Sequence, residues 1–402
     1  MPSDRDLQGA AKALIRLRST YKVDLHQFSQ GNILGLSTAA QLNSQDSFFL
    51  GRFAFLNGHV QEAHQWLELT ALQVASEGGQ NNGTSGISLG QLDQMLSQVE
   101  VHLGKQQQEP QLETAPLGII PPKTHDRDKM ITPGDSMNFA ALCRGQQLLP
   151  ASVAKDLNCF FSTRGDPYFL LQPLKVEVHH PEPHKVISIH EVLSSKEADG
   201  LVNVAQPRMV QASVGHGKEI SEMRVSRNCW IKDFESGLVD KISPRINWIT
   251  GLQTTRPHDL HGEGKEEEYE HLQVANYGIG GHYQSHQDPM FVYKEPDFLV
   301  YSVENKNGER PYPTGDRLAT FMMYLSDVPR GGWTAFPRLG VAVAPSKGSA
   351  VFWYNMKKSG RSDMAMLHGG CPVMYGSKWV ANKWIREVAN MFHSPCKNHI
   401  DV

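Results

Sequence analysis

The second half of this 402-residue chain places the strongest constraint on its fold. Beyond about Pro167, short stretches rich in β-branched and aromatic residues alternate with Gly, Pro and Asn. These stretches are YFLLQPLKVEV, HKVISIHEV, HLQVANYG, LATFMMYLSD, GVAVAPSKGSAVFWYN and SKWVANKWI. Short strands at this spacing predict a β-sandwich or a β-barrel. One helix is expected within SSKEADGLVNVAQ, where Ser194 or Ser195 can cap the first turn and Glu197 lies in that turn.

The first hundred residues instead predict helices. A first apolar stripe recurs at helical spacing through Leu7, Ala11, Leu14 and Tyr21. A second helix is expected at about 47–56 and a third from 60 to about 75, with Asn57-Gly58 forming the turn between them. Helix, tight turn and helix is the pattern of a tetratricopeptide-type unit, although any αα-hairpin shares it.

Residues 105–136 are rich in Gln and Pro and have no sustained period, which is typical of a linker. We therefore expect an α+β chain in three parts. A helical domain covers 1–104, a linker and connecting segment cover 105–166, and a β-rich domain covers 167–402.

Composition excludes several classes of protein. The formal net charge of −3 gives no bulk attraction to nucleic acid or to anionic membranes. No apolar run approaches the roughly 20 residues that a membrane-spanning helix needs. Five cysteines are too few for a disulfide scaffold, and no secretory signal is visible.

The stretch GGHYQSHQDPM, residues 280–290, has two possible interpretations. On a helix, His282 and His286 would face the same way, as in a zinc site. On a strand, His286 and Asp288 would share a face. The glycines before the stretch and the proline after it disfavour a helix, and no Glu stands beside the first histidine as a zinc hydrolase requires. The strand interpretation is therefore preferred, and His282 is expected to be a strand-end side chain.

Further along, MLHGGCPVMYGSKWVANKWI offers a third ligand, His368, and a lysine ten residues later, Lys378. Two histidines and one carboxylate occupy one face of an iron ion and leave room for a bidentate 2-oxo acid and dioxygen. A lysine can pair with the distal carboxylate of a dicarboxylic 2-oxo acid. Lys383 competes with Lys378, because five residues apart on one strand they face opposite ways. His393 is the weaker alternative to His368.

These motifs carry a specific resemblance. The segments RVSRNCWI, HLQVANYGIGGHYQSHQD, RLATFMMYLSDVPRGGWTAFP, GSAVFWYN and HGGCPV…GSKWVANKW resemble the catalytic domain of the collagen prolyl 4-hydroxylase α-subunit family, which belongs to the iron(II)/2-oxoglutarate dioxygenases. The resemblance implies a double-stranded β-helix, or jelly roll. It implies iron ligands at His286, Asp288 and His368, a 2-oxoglutarate anchor at Lys378, and pocket-wall residues at Tyr277 and Thr334.

The resemblance also implies an activity and a setting. The expected reaction converts peptidyl proline, 2-oxoglutarate and dioxygen into 4-hydroxyproline, succinate and carbon dioxide, with Fe(2+) and L-ascorbate as cofactors. The expected disulfides are Cys143–Cys159 and Cys371–Cys396, with Cys229 unpaired. The expected partner is protein disulfide isomerase as the β subunit, in the lumen of the endoplasmic reticulum. That location implies that this chain lacks its true N-terminus.

The N-terminal segments LIRLRSTYKVDL…SQGNI and DSFFLGRFAFLNGHVQEAHQWLE resemble the peptide-substrate-binding domain of the same family. Phe55, Val60 and Gln61 stand where that family has tyrosines. Because polyproline ligands dock on aromatic rings, this departure leaves open whether procollagen or another secreted protein is the substrate. The alternative function is a non-catalytic lumenal protein that keeps the dioxygenase fold and binds a partner. The complete set of His286, Asp288, His368 and Lys378 favours the enzyme.

Overall fold

The computed structural model describes residues 3–77, 87–106, 131–212, 223–254, 269–289 and 315–393. The chain forms two compact units, Met1–Pro116 and Leu117–Val402. Within the described residues, no helix is both long and apolar enough to span a membrane.

The first unit is helical, as predicted. Its elements are α1 (Asp4–Tyr21), α2 (Leu25–Ser29), a small hairpin of β1 (Asn32–Ile33) and β2 (Leu36–Ser37), α3 (Ser44–Leu56), α4 (Val60–Glu77) and α5 (Leu89–Gln106). The turn between α3 and α4 is possible because Gly58 adopts a left-handed φ of 80°. The two helices pack closely at Gly51, where an added Cβ would lie 2.9 Å from the side chain of Leu67.

In its described residues, the second unit combines five α-helices with most of the strands. The helices are α6 (Pro133–Cys143), α7 (Ala151–Ala154), α8 (Tyr168–Leu171), α9 (Ser195–Ala205) and α10 (Gly237–Thr250). The strands are β3 (Cys159–Ser162), β4 (Leu174–His180), β5 (Val186–His190), β6 (Val210–Gln211), β7 (Arg224–Val225), β8 (Arg227–Ile231), β9 (Leu272–Tyr277), β10 (His282–His286), β11 (Arg317–Tyr324), β12 (Arg330–Gly331), β13 (Thr334–Phe336), β14 (Val341–Val343), β15 (Ala350–Tyr354), β16 (His368–Gly370), β17 (Val373–Tyr375) and β18 (Lys378–Arg386).

Local capping explains where the helices begin. The predicted helix α9 starts at Ser194, whose hydroxyl accepts from the Glu197 amide in a capping box. The same device starts α6, where Thr132 and Asp135 cap each other and Pro133 occupies the first turn. This helix lies in the segment that the sequence predicts to be a linker and connection.

Two antiparallel sheets organise the second unit. One has the order β3-β4-β5-β15-β11-β18-β9-β8-β6, and the other has the order β14-β13-β16-β10-β7. The central strand β11 packs against a different layer on each of its two faces. Phe321 and Met323 pack into a core cluster with α9 and α10, whereas Met322 and Tyr324 join a second cluster with residues of the five-stranded sheet. Because strand side chains alternate, β11 supplies both layers.

The predicted disulfide pairing is wrong. Cys143 is bonded to Cys371, not to Cys159, and Cys371 is therefore not available to Cys396, which lies outside the described residues. The reason is the position of α6, which packs against β10, β13 and β14 and ends beside the residue that follows β16. Cys159 begins β3 at the edge of the nine-stranded sheet, where its thiol is exposed and free. Cys229 is free and buried, as expected.

Candidate active site

Three of the predicted residues meet between the sheets. His286 ends β10, Asp288 lies two residues beyond that strand, and His368 begins β16. β10 and β16 are antiparallel neighbours, and His286 is the register partner of His368. The imidazole and carboxylate atoms of the three residues lie within 4.8 Å of one another. In the described parts of the chain, this is the one His/Cys/Asp/Glu group with metal-binding geometry.

The hydrogen bonds of the two histidines fix which nitrogen faces the carboxylate. Nδ1 of His286 lies 2.8 Å from the carbonyl oxygen of Gln284, and Nδ1 of His368 lies 2.9 Å from that of Met366. A carbonyl only accepts, so each Nδ1 donates, and each ring is held with its Nε2 on the other side. Both Nε2 atoms face Asp288, at 3.7 and 3.6 Å from its oxygens. Burial also lowers the pKa of His368 to about 4, which favours the neutral ligand form.

Asp288 is oriented by its neighbours. The hydroxyl of Thr320 donates to Asp288 Oδ2 at 2.5 Å and accepts from the amide of Asn355 at 2.8 Å. Burial would raise the pKa of Asp288, but His368, His286 and Arg317 lower it well below its usual range. The carboxylate is therefore ionised and held in one orientation.

Lys378 lines the same cavity from β18. Its side chain is buried, and burial lowers the pKa of the ammonium to about 7. Its Nζ donates to Thr334 Oγ1 at 3.1 Å and lies 5.9 and 5.6 Å from the ring centres of Tyr277 and Tyr324. Within the described residues it has no carboxylate partner. A buried ammonium without a counter-charge is suited to bind an anion.

The structure separates Lys378 from its competitor. Lys383, also on β18, points to the opposite face and lies 3.4 Å from Asp233 Oδ1. His282 is buried on β10 but contributes no atom to the metal-capable group, and exposed His393 lies beyond the last strand.

Several residues that line the cavity were not predicted by any sequence motif. They include Arg224, Tyr283, Thr320, Trp353 and Trp384. Tyr283 stands three residues before His286, a spacing that places side chains on opposite faces of a regular strand. A register shift between these two residues brings their rings together instead, stacked at 3.6 Å.

The donor set fits a specific metal. Two neutral imidazoles and one carboxylate on one side of an ion are the ligands of non-haem iron(II) oxygenases. The buried side chain of Lys378 lines the same cavity and, when protonated, places a positive charge in it.

Comparisons with known proteins agree with this geometry. The profile of the 2OG-Fe(II) oxygenase superfamily matches residues 272–386, and the profile of the prolyl 4-hydroxylase alpha-subunit N-terminal region matches residues 1–35. The prolyl 4-hydroxylase subunit alpha-1 of Rattus norvegicus is 32% identical over 435 residues, which cover 98% of this chain and 76% of that protein. The subunit alpha-2 of Caenorhabditis elegans is 31% identical over 426 residues, covering 98% and 74%.

Among solved structures, a viral collagen prolyl hydroxylase from Paramecium bursaria Chlorella virus 1, in complex with 2OG, is 28% identical. The match covers 50% of this chain and 96% of that one, with a TM-score of 0.38. The identity with the curated relatives extends over nearly the whole chain and over about three quarters of each of them. This chain therefore belongs to the prolyl 4-hydroxylase α-subunit family.

Proposed function

We propose that this chain is an iron(II)- and 2-oxoglutarate-dependent dioxygenase that hydroxylates peptidyl proline at C4. The observation that carries the proposal is the meeting of two kinds of site in one cavity. The triad of His286, Asp288 and His368 and the buried cation of Lys378 line the same space. The superfamily match and the prolyl 4-hydroxylase relatives support proline as the residue that is oxidised.

The residues that line the cavity would have separate roles in binding the metal, binding the cosubstrate and excluding water. His286, Asp288 and His368 would hold iron(II), which when bound supplies the oxidation of proline coupled to decarboxylation of 2-oxoglutarate. Lys378 would bind the C5 carboxylate, and Thr334 would keep the ammonium in place. The apolar walls, which include Met322 and Trp353, would exclude water from the reacting groups.

The finer fold assignments belong to the same proposal. Two antiparallel sheets with the site between them support a double-stranded β-helix for the second unit. The αα-hairpin of α3 and α4, followed by α5, supports a tetratricopeptide-like arrangement in the first unit.

The cellular compartment, the reductant and the partner subunit are also part of the proposal. A bond between Cys143 and Cys371 requires an oxidising compartment, which supports the lumen of the endoplasmic reticulum. L-ascorbate as a reductant and protein disulfide isomerase as a β subunit follow from membership of the family. The substrate is a proline-containing polypeptide.

The first unit bears on which polypeptide is used. Val60 is buried in the helical core, and Phe55 packs edge-on against the ring of His102. Gln61 lines a groove of about 680 Å³ between α4 and the segment that joins α1 to α2. Phe55 keeps an aromatic ring, but an aliphatic and a polar side chain stand at the other two positions. The loss of two rings favours a substrate other than long polyproline helices.

Succinate release tests the proposal directly. The full chain, co-expressed with protein disulfide isomerase, would be given iron(II), ascorbate, 2-oxoglutarate and a proline-containing peptide. We expect peptide-stimulated succinate and 4-hydroxyproline, abolished in His286→Ala. His190→Ala serves as the matched control, because His190 lies on β5 and pairs with Glu177 away from the cavity.

Two results would contradict the proposal. Absence of turnover despite stoichiometric iron binding would favour the non-catalytic partner-binding protein, the alternative that the altered groove supports. Equal turnover by wild type and His286→Ala would show that the metal lies elsewhere.

A further inference from the structure

Arg224 is a cavity wall residue that the proposed reaction does not use. It lies on β7, is 7% exposed, and lines the cavity that contains the metal-capable triad. Its Nε donates to Ser226 Oγ at 3.2 Å and its Nη2 donates to Gln273 Oε1 at 2.8 Å. Both partners are neutral, and in the described part of the chain Arg224 forms no ion pair. Burial of an unpaired guanidinium is costly, which indicates a binding role.

The charges around the cavity can be matched to the proposed ligands. Asp288, Lys378 and Arg224 are the Asp, Glu, Lys and Arg side chains among its described lining residues. With the proposed ligands bound, Asp288 and one carboxylate of 2-oxoglutarate would balance the two charges of iron(II), and the other carboxylate would balance protonated Lys378. Arg224 would then keep a positive charge without a counter-charge among these lining residues.

Two further guanidinium groups lie near this wall of the cavity, and both differ from Arg224. Arg317 stacks on Trp384, which lines the cavity, with its guanidinium carbon 3.7 Å from the ring centre. Arg317 and Arg386 both pair with Glu270, and Arg317 also lowers the pKa of Asp288. These two guanidinium groups therefore have carboxylate partners, whereas Arg224 has none among the described residues.

Arg224 lies close to the proposed iron site. Its guanidinium carbon is 4.9 Å from the ring centre of Tyr283, which stacks 3.6 Å from the ring of His286. The guanidinium is thus within about 9 Å of this proposed iron ligand. An extended peptide spans roughly 3.3–3.6 Å per residue, so fewer than three residues cover that distance.

We propose that Arg224 binds a carboxylate side chain close to the target proline, so that the preferred substrate carries an acidic residue within two positions of it. This inference rests on the proposed function and names the class of peptide that the site selects. A guanidinium paired with a carboxylate in a buried cavity forms two charge-assisted hydrogen bonds, which distinguish Glu from its isostere Gln.

Three peptides of equal length, with Glu, Gln or Lys at the two positions on each side of the proline, test the proposal. For the wild-type chain we expect kcat/KM to be about tenfold higher with Glu than with Gln, since a hydrogen bond to a charged group contributes on the order of 1.5–3 kcal/mol. The Lys peptide should be the poorest of the three. Arg224→Gln should bring the Glu-to-Gln ratio close to one, and Arg224→Lys should keep part of the preference.

The ratio of kcat/KM for the Glu peptide to kcat/KM for the Gln peptide distinguishes carboxylate binding by Arg224 from a purely structural role of this residue. If Arg224 only supports Tyr283, Arg224→Gln will slow the Glu and Gln peptides by the same factor, which overturns the proposal. Equal kcat/KM values for the two peptides with the wild-type chain also overturn it, whether or not the variants fold.

Binding without turnover separates this proposal from the proposed function. Fluorescence anisotropy with labelled peptides, under anaerobic conditions with iron(II) and 2-oxoglutarate, should show the same order of affinity. Tight, charge-dependent peptide binding without hydroxylation would refute the enzyme and support Arg224 as the carboxylate site. Hydroxylation of the Glu and Gln peptides at equal rates would support the enzyme and refute Arg224 as the carboxylate site.

Discussion

Lys378 is buried without a carboxylate beside it among the described residues, so its charge opposes folding. Burial lowers its pKa from 10.5 to about 7. Between these values the unfolded chain binds more protons than the folded chain, and stability therefore rises with pH from about 7 to 10.5. At pH 8 the folded lysine is mostly neutral. Releasing its proton costs about 3 kcal/mol, at roughly 1.4 kcal/mol per pKa unit.

Lys378→Met removes this cost while keeping a side chain of similar length. We expect the metal-free variant to be more stable than wild type by about 3 kcal/mol at pH 8, with the difference disappearing near pH 10.5. We also expect 2-oxoglutarate to bind on the order of 100-fold more weakly, because its C5 carboxylate would be buried without a cation. The variant would be a more stable protein with lower activity at limiting 2-oxoglutarate.

Two assays measure these effects. Denaturant unfolding followed by tryptophan fluorescence reports mainly on the second unit, which contains six of the seven tryptophans. Calorimetry with iron(II) under anaerobic conditions gives the dissociation constant of 2-oxoglutarate. Lys383→Met is the matched control on the same strand. It should gain less stability, because Asp233 offsets part of the burial cost of Lys383, and it should bind 2-oxoglutarate normally.

The reasoning is refuted if Lys378→Met destabilises the metal-free protein at pH 8, or if its gain in stability does not shrink as pH rises. Unchanged affinity for 2-oxoglutarate would show that the anion site lies elsewhere.

Two further substitutions test how the site is built. Thr320→Val removes the hydrogen bond to Asp288 and should weaken iron(II) or cobalt(II) binding by about 10- to 100-fold in a metal titration, whereas a change below twofold would show that the carboxylate needs no such support. Gly369→Ala places a Cβ 2.8 Å from the carbonyl oxygen of Tyr283 and should separate β16 from β10, abolishing metal binding and succinate release. The control Gly237→Ala, where a Cβ meets nothing within 4 Å, should keep both, and wild-type activity in Gly369→Ala would contradict the packing argument.

Local sequence predicted the features that depend on short-range chemistry. The Asn57-Gly58 turn, the cap at Ser194 and the strand interpretation of His286 follow from backbone preferences within a few residues. The capping box at Thr132, which starts α6, also depends only on residues close in sequence. The proline-rich residues around it nevertheless predict a linker. By contrast, YFLL begins no strand, because the chain forms the short helix α8 before Pro173 and extends only from Leu174.

Only the tertiary structure decided the features that depend on which elements become neighbours. The choice between Lys378 and Lys383 requires knowing which face of β18 meets the five-stranded sheet and which meets the helices. The Cys143–Cys371 bond requires the docking of α6 beside β16, across a separation of 228 residues. The stack of Tyr283 on His286 depends on an irregularity of strand pairing that alternation in a regular strand excludes. Residue types and spacing determined the chemistry available to this chain, whereas long-range packing determined which side chains share the cavity, because burial and register are properties of pairs of elements rather than of either one alone.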